Sequence, residues 1–136
     1  MGRILSIDYG MRRVGLAVTD PLQMFAKPLE TIDNKKIVEY LKAYMIKEQV
    51  ETIVLGQPMN MDGGETDATK PVEAFREELI KLFPNIPIVM IDERLTSRMA
   101  KQVLIEAGYK KSDRRNKKLV DTVAAALILQ TYLESR

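Results

Sequence analysis

The sequence contains neither cysteine nor histidine. Without cysteine there is no disulfide, no thiol nucleophile and no thiolate metal site. Without histidine there is no Ser-His-Asp triad, no HExxH zinc site and no imidazole base. Long apolar runs are missing as well: no segment approaches the roughly 20 residues that span a bilayer. The opening Gly2-Arg3-Ile4-Leu5-Ser6 lacks the apolar stretch of a signal peptide. The expected location is therefore the cytoplasm, with no membrane partner. Any catalysis must use carboxylates, lysine, tyrosine, hydroxyls or a metal held by oxygen. Oxygen ligands favour hard cations such as Mg²⁺ or Mn²⁺.

What is present suits a single domain over residues 1–136. The chain is 46% hydrophobic and 29% charged, a balance that supports a core and excludes a disordered chain. The net charge is +2, but it is unevenly spread. Lys110-Lys111-Ser112-Asp113-Arg114-Arg115-Asn116-Lys117-Lys118 carries six basic residues and one acid. That segment fits either a local contact with a polyanion or a solvated loop between two helices.

Periodicity gives the order βββαβαβα, an α/β fold in which a five-stranded mixed sheet, its first three strands antiparallel, is flanked by helices. Arg3–Asp8 reads as a buried strand ending in a carboxylate. Gly10 and Gly15 punctuate a turn, and Gly15–Thr19 returns. Phe25–Ile32 is a third strand, and Pro28 assigns it to an edge. Asp33 or Asn34 caps a helix with Ile37, Val38, Leu41, Tyr44 and Met45 inward. Thr52–Leu55 is a strand stopped by Gly56, and a loop runs from Gln57 to Asp67. Thr69 and Pro71 open a helix whose buried stripe is Val72, Phe75, Leu79 and Ile80. Ile86–Ile91 is the last strand. A third helix over 96–107 turns Met99, Ala100, Val103 and Leu104 inward and stops at Gly108. The last helix, 117–133, buries Val120, Val123, Ala124, Leu127 and Ile128.

Carboxylates sit at three element ends. Asp8 ends the first strand, Asp92 and Glu93 follow the last, and Asp121 lies near the start of the last helix. In open α/β sheets, ligand sites gather outside the carboxyl ends of strands. Ala124 and Ala125 would let the last helix approach the sheet closely and turn Asp121 inward, where a cation offsets the cost of a buried charge. Each acid also has a structural reading, as a turn residue or as a partner of a helix dipole. Two Mg²⁺ ions held by converging carboxylates can hydrolyse a phosphodiester without histidine. Arg12, Arg13, Arg94 and Arg98 lie beside these acids and suit phosphate oxygens or structural ion pairs.

Four blocks carry a family resemblance. Asp8-Tyr-Gly10-Met-Arg-Arg13-Val-Gly15 with Thr19-Asp20 resembles the opening of the YqgF/RuvX family. Gly56-Gln-Pro58-Met-Asn60-Met-Asp-Gly63 resembles its G-L-P-x-x-M-D-G loop. Asp92-Glu93-Arg94-Leu95-Thr96-Ser97-Arg-Met-Ala100 is similar to its D-E-R segment, and Asp121-Thr-Val-Ala124-Ala125-Ala-Leu-Ile128-Leu129-Gln130 to its ending. The blocks come in the family's order; Gln57 and Ser97 depart from the usual Leu and Thr. The resemblance implies a ribonuclease H-like fold and a metal-dependent nuclease. It makes Asp8, Glu93 and Asp121 the catalytic, metal-binding acids, with Mg²⁺ or Mn²⁺ as cofactor and Asp92 a less certain member. Arg13, Asn60, Arg94, Lys117 and Lys118 are the expected substrate contacts.

The implied role is processing of the 5′ end of pre-16S rRNA, with RNA and a pre-ribosomal particle as partners. The alternatives are Holliday-junction resolution on structured DNA and a non-catalytic ribosome-assembly factor. The oligomeric state stays open between monomer and homodimer. An ATP-handling role, suggested by D-x-G alone, lacks the second domain that would clamp the nucleotide.

Overall fold

The structure is a computed structural model that describes residues 2–58, 69–93, 99–100, 102–103, 105 and 117–136. Strands β1 (Arg3–Tyr9), β2 (Arg13–Thr19) and β3 (Ala26–Asp33) come first. A 3-10 turn (Asn34–Lys36) leads into α1 (Ile37–Lys47). Then follow β4 (Val50–Gln57), α2 (Thr69–Leu82), β5 (Ile88–Asp92) and, last, α3 (Lys117–Ser135). Residues 99, 100, 102, 103 and 105 are also helical. The sheet order is β3-β2-β1-β4-β5. β1–β2 and β2–β3 are antiparallel, whereas β1–β4 and β4–β5 are parallel. This is the mixed sheet that the sequence pattern implies.

Strand alternation divides the side chains between two faces. Leu5, Ile7, Val14, Leu16, Ile53 and Leu55 point to one face, where Ile37 and Leu41 of α1 and Val72, Phe75 and Leu79 of α2 cover them. Ile4, Ala17 and Val54 point to the other, beneath Ala125, Ile128 and Leu129 of α3. α3 touches all five strands. Pro28 does lie on an edge strand, next to an irregularity where β3 carries one residue more than β2.

Three sequence expectations change. Gly15 lies within β2, which already starts at Arg13, so the turn is confined to residues 10–12. Ile80 lies off the α2 stripe and is 38% exposed. Ala100 is fully buried, but Met99 and Val103 are 50% and 41% exposed; that helix buries a narrower seam than its apolar content suggests. Leu104 and Gly108 lie outside the described residues.

The Thr19-Asp20 pair has a structural role at the end of the sheet remote from Asp8. Thr19 Oγ1 accepts from the Ile4 N–H at 2.9 Å. The Asp20 carboxylate accepts from the N–H groups of Leu22, Met24 and Phe25 at 2.9–3.1 Å, closing the β2–β3 loop. These bonds hold its carboxyl below the usual range, that of Phe25 most strongly.

Candidate active site

Asp8 is the last residue of β1 to point toward α3, and it pairs in register with Gly15 of β2. Glu93 follows β5 directly, and its N–H donates to the Gln57 carbonyl at 3.1 Å. β4 lies between these two strands, and at its end Gly56 leaves the room that Glu93 occupies. A Cβ at Gly56 would collide with a Glu93 carboxylate oxygen and with Ile128. Asp8 and Glu93 thus meet above a gap in the side-chain layer, and their carboxyl groups hydrogen-bond to one another.

The third acid is delivered by α3. A Cβ at Gly15 would run into the Asp121 backbone carbonyl, so the helix can rest on β2 only because that position is glycine. One turn later the buried Ser6 hydroxyl donates to the Ala125 carbonyl at 2.8 Å. Gly15 and Ser6 were not recognised as site-building residues from sequence. The available signal was one glycine and one serine, each facing the alanines of α3 from an otherwise apolar strand.

The electrostatics follow from this crowding. Burial raises the Asp8 carboxyl to about 6; the hydrogen bond from Glu93 pulls it down and the Asp121 charge pushes it up. Burial likewise raises Glu93 to about 9, reinforced by the charge of Asp8, their shared hydrogen bond and the charge of Asp92. The pair therefore holds a proton more readily than ordinary carboxyls do. Asp92 closes β5 and is exposed, and it acts on Glu93 through its charge.

Asp121 is turned to Arg13, whose Nε donates to Oδ2 at 2.9 Å; both side chains are about three-quarters covered. Sequence adjacency had linked Arg13 with Asp8, but the structure pairs it with the more distant acid. Among the described residues, no three acids close tightly enough to form a finished cation cage. The donor set still fits a hard cation. Two adjoining carboxyls, both pushed toward the neutral form chiefly by burial, offer only oxygen, and a cation offsets the cost of ionising them there.

Lys117 and Lys118 open α3. Lys118 is exposed, and its carbonyl accepts from Thr31 Oγ1 at 2.7 Å. The Lys117 side chain, Asn60, Arg94, Arg98 and the rest of the basic segment before Lys117 lie outside the described residues. Among the described residues, no helix is long and apolar enough to cross a membrane.

A five-stranded mixed sheet in the order β3-β2-β1-β4-β5, crossed on one face by the closing helix, is a ribonuclease H-like fold. The RuvC of Thermus thermophilus in complex with a Holliday junction substrate has this fold: TM-score 0.59, 17% identity, 99% of this chain and 96% of that one covered. Residues 2–135 match the family described as RuvX, Holliday junction resolvase, and the chain belongs to that family. A protein of Bacteroides thetaiotaomicron is 45% identical over 136 residues, covering all of this chain and 99% of its own. One of Porphyromonas gingivalis is 47% identical over 135 residues, covering 99% and 98%. Both carry the name "Putative pre-16S rRNA nuclease". The chain is thus a member of a family of phosphodiester-cleaving hydrolases.

Proposed function

We propose that the chain is a cytoplasmic, divalent-cation-dependent nuclease that acts as one domain over residues 1–136 and processes the 5′ end of pre-16S rRNA. The Asp8–Glu93 carboxyl pair, with Asp121 beside it, is the observation that carries this reading. Asp8, Glu93 and Asp121 would hold Mg²⁺ or Mn²⁺. Held there, such a cation would supply activation of a water and stabilisation of the leaving oxygen of the phosphodiester.

The chain's own groups supply the rest. The Asp8–Glu93 pair favours a shared proton in the absence of a cation, because burial raises both carboxyls. Arg13 fixes the direction of the Asp121 carboxylate. Lys117 and Lys118 stand at the positive end of α3, where backbone N–H groups and lysines together attract phosphate. Asn60 and Arg94 complete the proposed substrate contacts, and a pre-ribosomal particle is the proposed carrier of the RNA. The names of the curated relatives support the RNA substrate.

A second reading, cleavage of four-way DNA junctions, is supported by the family's description and by the junction-bound relative of the same fold. It would require a homodimer, because a junction presents two symmetric strands.

Labelled single-stranded RNA, duplex DNA and a four-way junction, each incubated with Mg²⁺, Mn²⁺ or EDTA, separate the readings. RNA cleavage should vanish in EDTA and in Asp8→Asn, with folding intact. Cleavage that survives both treatments would remove the carboxylate–cation mechanism. Preferential cutting of the junction would establish the second reading.

A further inference from the structure

A cavity of about 250 Å³ opens on the other face of β1, at Tyr9, the residue after Asp8. Its floor is apolar and well buried, formed by Ile37 and Phe75, which are 2% and 4% exposed. Tyr9 stacks on Phe75, with ring centroids 4.2 Å apart and planes inclined by 20°. Met11 forms part of the rim and is 68% exposed. Asn34 and Glu78 supply the polar edge.

The cavity is preformed because Asn34 ties the β1–β2 turn to the entry of α1. Its backbone N–H donates to the Arg12 carbonyl at 2.8 Å, and its Nδ2 donates to the Gly10 carbonyl at 2.7 Å. Among its described lining residues the only charge is Glu78, which is negative. A phosphate is therefore a poor occupant. A flat ring with hydrogen-bonding groups on its edge is a good one. The volume lies just below the range of roughly 300–1,000 Å³ typical of small-molecule pockets, so it suits one ring system.

The position relative to the acids supplies the rest. Tyr9 directly follows Asp8 in β1. Consecutive strand residues point to opposite faces and are separated by about 3.3 Å of rise. A polynucleotide strand crossing the end of β1 with a phosphate at Asp8 and Glu93 therefore brings a neighbouring base to the cavity mouth. We propose that this cavity receives one unpaired nucleobase next to the scissile phosphate, so that the protein selects single-stranded nucleic acid over paired strands. A base held in a duplex must first be unstacked and unpaired, which penalises paired substrates. This inference rests on the nuclease reading of the acids.

The test uses the full-length Asp8→Asn protein, so that substrate stays uncut, and Mg²⁺ throughout. Three fluorescent probes of equal length are titrated: a single-stranded RNA, a ribose-phosphate oligomer lacking every base, and a blunt RNA duplex. Single-stranded RNA should bind about 5- to 100-fold more tightly than the baseless oligomer, the range that stacking one base on an aromatic side chain provides. It should also bind more tightly than the duplex. Ala74→Trp, an exposed position lining the cavity, should fill it and bring the ratio of based to baseless RNA to about one, leaving the baseless oligomer's own affinity unchanged. Tyr9→Leu should do the same, with its folding checked by thermal melting.

A ratio that survives in Ala74→Trp, no preference in the starting protein, or a duplex bound as tightly as the single strand would overturn the inference. The nuclease reading is judged apart, by cleavage with Asp8 intact. If the base preference holds and no substrate is cut, only that reading fails.

Discussion

The two faces of the sheet solve different problems with the same five strands. On the α1–α2 face the strands present Leu5, Ile7, Leu16, Ile53 and Leu55, large side chains that keep the helices at a distance and bury much apolar area. On the α3 face the inward positions of the same strands include Ser6, Gly15, Ala17 and Gly56, residues too small to hold a helix away. The first face builds stability. The second gives up side-chain volume so that a helix can carry Asp121 against the sheet and Glu93 can lie over β4. Close approach, rather than hydrophobic content, assembles the acids.

That contrast can be broken from either side. Leu16→Ala, on the α1–α2 face, should cost about 2–5 kcal/mol in denaturant unfolding, while the molecules that remain folded keep their cleavage rate. Gly15→Ala should cost less stability, about 1–3 kcal/mol. It should nevertheless abolish cleavage, because its Cβ meets the Asp121 backbone and displaces the third acid. Equal loss of activity per unit of stability in the two variants would erase the distinction between the faces.

The acid pair sharpens the same comparison through pH. Asp8 and Glu93 have folded values of about 6 and about 9, against ordinary values of 3.8 and 4.5. The folded state therefore binds more protons than the unfolded chain at intermediate pH. Stability of the cation-free protein should be greatest below pH 4 as far as these two groups decide it, and fall as pH rises toward 9. Melting temperatures measured in EDTA from pH 5 to 9 should show the decline. Mg²⁺ should reduce it, and Glu93→Gln should remove most of it. A Glu93→Gln protein with the wild-type slope would move the origin of the effect elsewhere. The smallest expected change is that of Ser6→Ala, about 1 kcal/mol for the lost bond to α3, with a modest loss of cleavage.

Much of this arrangement was legible in the residues. Apolar alternation locates the strands, Pro28 marks the edge, and the acids at element ends include the Asp8–Glu93 pair that the fold brings together. The failures have physical causes. Periodicity finds the apolar stripe of a helix but does not report its width, so it places Ile80, Met99 and Val103 inward although each is more than a third exposed. Glycine is ambiguous in a sequence, because a turn and a close helix approach both need it; Gly15 proved to be the second. The Arg13–Asp121 pair joins residues 108 positions apart, and no local pattern encodes a contact of that span. α3 touches every strand, so its apolar residues spread around the helix and obscure which side meets the sheet.

The separation of the acids along the chain also has a consequence in time. Asp8 is translated first, Glu93 follows 85 residues later and Asp121 a further 28 residues on. Before α3 is made, Ala17 and Val54 lack their helical cover and Asp8 lacks the neighbouring charge of Asp121. A chain caught before α3 is made therefore lacks the third carboxylate of the proposed site, which becomes complete only when that helix docks.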